Sequence, residues 1–363
     1  MMYRFVTLLL IGLTLSCKKD PYVDPINLSD RQRVLNSLGN DVIIASFLDF
    51  QLSIAGLKSK TKIFIEDPVS HGKLNDLKYA WLECALAWKR ASLFTFGPID
   101  SLVVLNGIYS SPDTIAISRI ISDHSITIDS AYVQGLGRGL TGVLAFEYLL
   151  YGSSGGDNNK IIRSFTVEGS QGRKLAYLMA LADALQYYSD MAMIRWSRGA
   201  ENYVQQFIDS DGSDKESSLG VVVHRMAELA ALIRKERVGR PYGVFNNGIP
   251  QPGTLDGRFS DQSFAMLRAE IDGLNAAYTG IRTGSINAVG IGILVNIVTN
   301  SSGSEPIGPA IEDQLLLIYR KIDSFTTPFS EALVSERDLV GELYDEVEKL
   351  ENLITNMKEV LRL

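Results

Sequence analysis

Between Leu140 and Tyr151 the chain carries one carboxylate, Glu147, and no base, in an almost wholly apolar run. Wound as a helix, this run gives Glu147 the neighbours Val143, Leu144, Leu150 and Tyr151, so no rotation offers it a polar face. Any fold built around the stretch must therefore bury a carboxylate. A buried carboxylate needs a cation, hydrogen-bond donors, or its own proton at a raised pKa. Two uses follow: an ion pair with Arg138, Arg258 or Arg268 that only holds the structure together, or a place in a binding site.

The rest of the chain reads as helix. A capping box at Ser29-Asp30-Arg31-Gln32 opens a helix running toward Leu57. A second covers about 74–94 and stops at Gly97-Pro98. Short segments near 114–122 and 129–134 lead to the Glu147 helix, which ends at Gly152 before a polar loop over 153–159. A long helix over 172–198 places Leu178, Ala182, Leu185, Ala192 and Trp196 on one stripe. Further helices fit 216–237, 261–279, 286–299, 308–324 and 328–361. The last steps Leu339, Leu343, Val347, Leu350, Ile354, Met357 and Leu361 by three and four, the pattern of a packed bundle face. Ile126-Thr127-Ile128 is the best strand candidate and is too short to seed a sheet. Strands do not alternate with helices, so the fold class is all-α, built of helical bundles. Gly199 and the polar turn Asp209–Asp214 divide the bundle region into domains over 29–200 and 201–363. The Gly/Pro-rich segment 239–257 is a long connection with the character of a functional loop.

The N-terminus reads as an address. Arg4, the apolar run Phe5–Leu15 and small Ser16 precede Cys17, the order of a bacterial lipoprotein signal over 1–16 with Cys17 as the lipidated residue. Residues 17–28 are then a tether, and the protein is placed in the cell envelope on the outer membrane, at its periplasmic or surface face. The longest other apolar run, Ala288–Val298, is far short of a membrane-spanning helix. Beyond Cys17 only Cys84 remains, in the apolar setting of Trp81, Ala85 and Trp88, so a buried inert thiol is expected. A formal charge of -7 with no basic block excludes a nucleic-acid partner.

Several apparent motifs lack their context. Gly137-Arg-Gly-Leu-Thr-Gly142 has no preceding strand, so it is not a dinucleotide fingerprint. Asp209–Asp214 has glycine at the fourth place of a would-be calcium loop and lacks the closing glutamate. His71, His124 and His224 form no zinc-binding helix motif; His224 and Glu228, one turn apart, read as a surface pair. Trp81, Phe94, Phe96 and Pro98 read as core packing.

Three separated stretches carry a resemblance. Gly142, Glu147 and the following Tyr-Leu-Leu-Tyr-Gly152 resemble the signature segment of the imelysin family, Gly-x-His-x-x-Glu running into an apolar helix, with Leu144 at the histidine position. Ala80-Trp81 through Phe94-Thr-Phe-Gly-Pro-Ile-Asp100 is similar to the family's tryptophan helix ending in Phe-Gly-Pro. Val238-Gly-Arg-Pro-Tyr-Gly243 and Gly257-Arg-Phe-Ser-Asp261 are similar to its later segments. The resemblance implies two helical-bundle domains with a cleft between them, and a link to iron uptake in a family once classed among metallopeptidases. It implies a ligand site made by Glu147, Gly142, Trp81, Arg258 and Ser260, and possible partners in an iron-uptake system. It also implies an iron or other divalent metal ion at Glu147, with Leu144 removing the imidazole such ions favour. A non-enzymatic, ligand-binding envelope lipoprotein is the expectation. The alternatives are a metal-dependent peptidase and a diverged interaction or scaffold protein without a metal site.

Overall fold

The computed structural model describes residues 24–100, 105, 107–152, 156–166, 171–282, 289–303 and 305–363. The leader over 1–16 and Cys17 lie outside the described residues. Among the described residues every regular element is a helix and none is a strand. Ile126, the start of the strand candidate, instead gives its carbonyl to Arg173 at 2.7 Å.

The first helix opens at Leu28, one residue before the capping box. Asn27 is the cap: its Oδ1 accepts from the Asp30 amide at 2.9 Å, while the Ser29 hydroxyl donates to that same oxygen at 2.7 Å. The helix widens into a π turn at Leu38–Ile44 and continues as Ala45–Glu66. An 18-residue window of Leu28–Glu66 has a mean hydropathy of 1.4, enough by composition for a membrane span. Its apolar side chains Val42, Phe47, Phe50, Ile54, Leu57 and Phe64 are instead buried against other helices.

The Trp81 helix, His71–Ala91, follows with Ser70 as its cap, and the Glu147 helix is Val143–Tyr151. Two short helices were not foreseen: Asn158–Thr166, where a polar loop was expected to reach 159, and Tyr203–Asp209. The long C-terminal helix is broken into Phe329–Ser335 and Arg337–Val360. At the break, Glu336 turns its carboxylate onto the Thr327 amide at 2.9 Å and the Thr327 hydroxyl at 2.7 Å. The break is a local change of backbone, φ -124° and ψ 37° at Glu336, across which the Glu336 amide still donates to the Ala332 carbonyl at 3.0 Å.

The buried apolar side chains form two cores. One gathers Phe50, Leu77, Trp81, Phe146, Leu150, Phe165 and Tyr177. The other surrounds Trp196, whose ring meets Tyr203 at 4.9 Å and Phe96 at 5.5 Å, and takes in Leu35, Phe207, Ile271, Val340 and Leu350. Among the described residues four helices belong to both. Ala45–Glu66 gives Phe50 to the first and Phe47 to the second, and Gln171–Trp196 gives Tyr177 to the first and Trp196 to the second. The Trp81 helix gives Trp88 to the first core and Ala91 to the second. The Glu270 helix, Ser263–Thr279, gives Met266 to the first and Leu267 and Ile271 to the second. Both candidate polar clusters lie along this seam.

Candidate functional site

The Glu147 helix is pinned at its start. Gly142 precedes it with φ +91°, and a Cβ there would fall 2.4 Å from the carbonyl oxygen of Ile108. Only glycine allows the chain to pass so close at that φ. The Trp81 indole donates to the Val143 carbonyl at 2.9 Å, and its ring meets Tyr151 edge-on at 5.4 Å. Trp81 thus holds both ends of the helix, and its one N–H is spent on Val143, not on Glu147.

Glu147 is 1% exposed. Its Oε1 accepts from the Phe259 amide at 3.0 Å, the Ser260 amide at 2.9 Å and the Ser260 hydroxyl at 2.8 Å. The hydroxyl has one proton and also lies 3.1 Å from the Gly257 carbonyl, so it serves one acceptor at a time. Successive amides can face one oxygen because the 257–262 segment turns tightly, with Gly257 at φ +69° and the Gln262 amide donating back to the Gly257 carbonyl at 3.0 Å. Among the described residues no donor reaches the other oxygen, Oε2. Burial pushes the Glu147 carboxyl up from 4.5 to about 7; the donors from Ser260 and Phe259 work against that rise and Asp256 adds to it.

The expected arginine partner is not there. Arg258 stacks on the Phe259 ring at 4.6 Å and donates to the Gly253 carbonyl. Arg268 pairs with Asp323 at 2.6 Å, and Arg138 is exposed. Two amides and a hydroxyl replace the cation, a solution that side-chain identity alone does not display. Of the four residues grouped with Glu147 in sequence, the structure joins Ser260 to it directly, uses Gly142 and Trp81 to fix its helix, and turns Arg258 away.

A second cluster escaped the sequence reading altogether. Lys89, 1% exposed, donates to Glu270 at 2.6 Å and to Asp256 at 2.9 Å. Arg237 reaches both acids as well, with Nε 3.1 Å from each Glu270 oxygen and Nη1 3.2 Å from Asp256. Two cations and two acids, drawn from four separated segments, cancel one another inside the protein. Lys89 also sits 4.4 Å above the Tyr109 ring. Burial works to raise the Asp256 carboxyl, but Lys89 and Arg237 overcome it and hold the group well below the usual carboxylate range. Burial and the nearby Asp256 push the Tyr109 phenol up. The one available signal was a lysine on the apolar side of the Trp81 helix, one residue after Trp88, where a lysine needs an acid.

The sequence model of the imelysin family (Peptidase_M75: Imelysin) matches residues 43–357, which includes both clusters. The chain belongs to the imelysin family. Among solved structures, an imelysin-like protein from Psychrobacter arcticum 273-4 is similar over 91% of this chain and 94% of its own, with a TM-score of 0.70 and 19% identity. A protein from Parabacteroides distasonis ATCC 8503, described as an iron-regulated protein A precursor, is similar over 92% of this chain and 96% of its own, with a TM-score of 0.73 and 16% identity. No curated protein sequence matches.

Leu144, which the resemblance sets at the signature's histidine position, is 2% exposed and packed in the core around Trp81. Among the described residues no group of three His, Cys, Asp or Glu side chains is placed to hold a metal ion. His224 meets Glu228 at 3.1 Å on the surface, far from three-ligand geometry. Glu147 offers one oxygen that faces three donors and one that has no protein donor among the described residues. That set does not fit a transition-metal ion. Cys84 is buried, and burial pushes its thiol up to about 12, so it is no nucleophile at neutral pH.

Proposed function

We propose that this imelysin is a lipid-anchored protein of the bacterial cell envelope that binds a ligand, without catalysing a reaction, in the service of iron uptake. The observation that carries the binding role is the division of labour within Glu147. Oε1 is saturated by the 257–262 turn, while Oε2 has no protein donor among the described residues. A carboxylate fixed by one oxygen and open at the other is preorganised to receive a hydrogen-bond donor from outside the chain. The near-neutral set point of its proton lets it accept or donate according to what arrives. The iron-regulated description of the Parabacteroides protein supports the context, and the Arg4-to-Cys17 pattern supports the anchor.

The test is growth under iron limitation of cells lacking the gene, complemented with the wild type or with Glu147→Gln. Restoration by the wild type, and failure of Glu147→Gln present at the same level in the envelope, is the expected result. Undiminished iron-limited growth without the gene would refute the reading.

A further inference from the structure

Away from Glu147, two cavities adjoin along the outer side of the Glu270 helix, sharing Asn275 and Ile281 as walls. The first, about 140 Å³, is lined by two guanidinium groups. Arg90 reaches Asp272 through Nε at 3.3 Å, and Arg282 uses Nε on the Asp41 carbonyl at 3.1 Å and Nη1 on Asp49. Among the described residues, both terminal nitrogens of Arg90 and Nη2 of Arg282 have no hydrogen-bond partner. The second cavity, about 370 Å³, has an apolar floor of Ile281, Leu315 and Leu316 and carries Glu312 on its wall. Ile281 is 53% exposed and Leu316 50%, apolar surface that no packing in the described residues accounts for. Asn275 and Asn296 line this cavity, and their side-chain amides likewise have no partner among the described residues. The cavities are also linked through Tyr319, which lines the second and donates at 2.9 Å to Asp272 in the wall of the first.

We infer that these cavities form a binding site for a short apolar peptide with free ends. The guanidinium nitrogens left over by Asp49 and Asp272 take its terminal carboxylate. Glu312 takes its ammonium group, the two free primary amides pair with peptide groups, and the apolar floor receives its side chains. Counting Arg90 and Arg282 against Asp49, Asp272 and Glu312, the site holds one acid more than base. That balance disfavours a simple anion and suits a molecule carrying both charges. None of these residues belongs to the Glu147 turn, so the inference stands apart from the proposed function.

Titration calorimetry of the purified protein tests it, with the tripeptide Leu-Ala-Leu, its C-terminal amide and its N-acetyl form as probes. The free tripeptide should bind one to one, and blocking either end should weaken binding about tenfold or more. Arg90→Gln should abolish the preference for the free carboxylate, and Glu312→Gln the preference for the free amine. Leu316→Asp, an exposed change that leaves folding intact, should weaken all three probes, and it carries the test if Arg90→Gln fails to fold. Equal binding of the three forms, binding by none of them, or end-selectivity that survives in Glu312→Gln would overturn the assignment.

Discussion

Replacing Glu147 by glutamine isolates the free energy stored in its proton. Glutamine keeps an oxygen for the Phe259 and Ser260 donors and mimics the protonated acid in shape, but cannot ionise. In the folded wild type the carboxyl holds its proton up to about pH 7, whereas in the unfolded chain it releases it near the ordinary value of 4.5. Between those values the unfolded state binds fewer protons than the folded state, so stability falls as pH rises. The contribution is fully present below about pH 4.5 and gone above about 7. The gap of some 2.5 units corresponds to about 3 kcal/mol. Asp256, the nearest acid acting on Glu147, keeps its charge throughout this window because Lys89 and Arg237 hold it low against burial. Every group common to both proteins cancels in the difference. Urea unfolding of wild type and Glu147→Gln from pH 4.5 to 8 should therefore show the variant gaining about 3 kcal/mol on the wild type across the range. A difference that stays flat with pH would refute the reasoning, because it would mean that the three donors cancel desolvation and the carboxyl titrates normally.

Glu147→Leu should be worse than glutamine at every pH, since it strands the Phe259 and Ser260 amides at about 1–3 kcal/mol each while the Ser260 hydroxyl falls back on the Gly257 carbonyl, measurable in the same unfolding series. Lys89→Met leaves Asp256 and Glu270 to share Arg237 alone, and should cost about 3–5 kcal/mol in urea unfolding at neutral pH. Gly142→Ala forces a side chain onto a φ of +91° beside the Ile108 carbonyl, and a fall of at least about 1–3 kcal/mol in thermal or urea unfolding is expected. Cys17→Ser should move the protein from the membrane fraction to the soluble fraction of cells, and unchanged retention would remove the lipid anchor from the proposal.

The all-α class was legible because periodicity reports which faces are buried, and burial is what holds these helices together. Helix limits were less so. Asn27 outcompetes Ser29 as a cap, and the last helix breaks at Glu336, inside the polar run Ser335–Asp338 that separates Leu333 from Leu339. Glu147 announced itself by its apolar neighbours, and the Gly-Arg-Phe-Ser segment by resemblance. That the link between them runs through main-chain amides could not be read, since every residue has an amide and only the backbone path decides where it points. The Lys89 cluster was hidden for a related reason. Its four charged members come from residues 89, 237, 256 and 270, and no local pattern marks charges that meet only after the chain has folded.

The stretch from Asp256 to Ser260 is gripped at two neighbouring places by different means. At Asp256 the hold is a set of buried ion pairs, insensitive to proton concentration near neutrality; four residues later it is a trio of donors on a carboxyl that titrates there. Such a segment has the design of a latch with a fixed pin and a tunable catch. An opening of this turn that kept Asp256 in place would free the amides of Phe259 and Ser260 together. Those two amides are then natural reporters of opening: their hydrogen exchange records the motion of one turn in a chain of 363 residues, without a ligand, a label or a mutation.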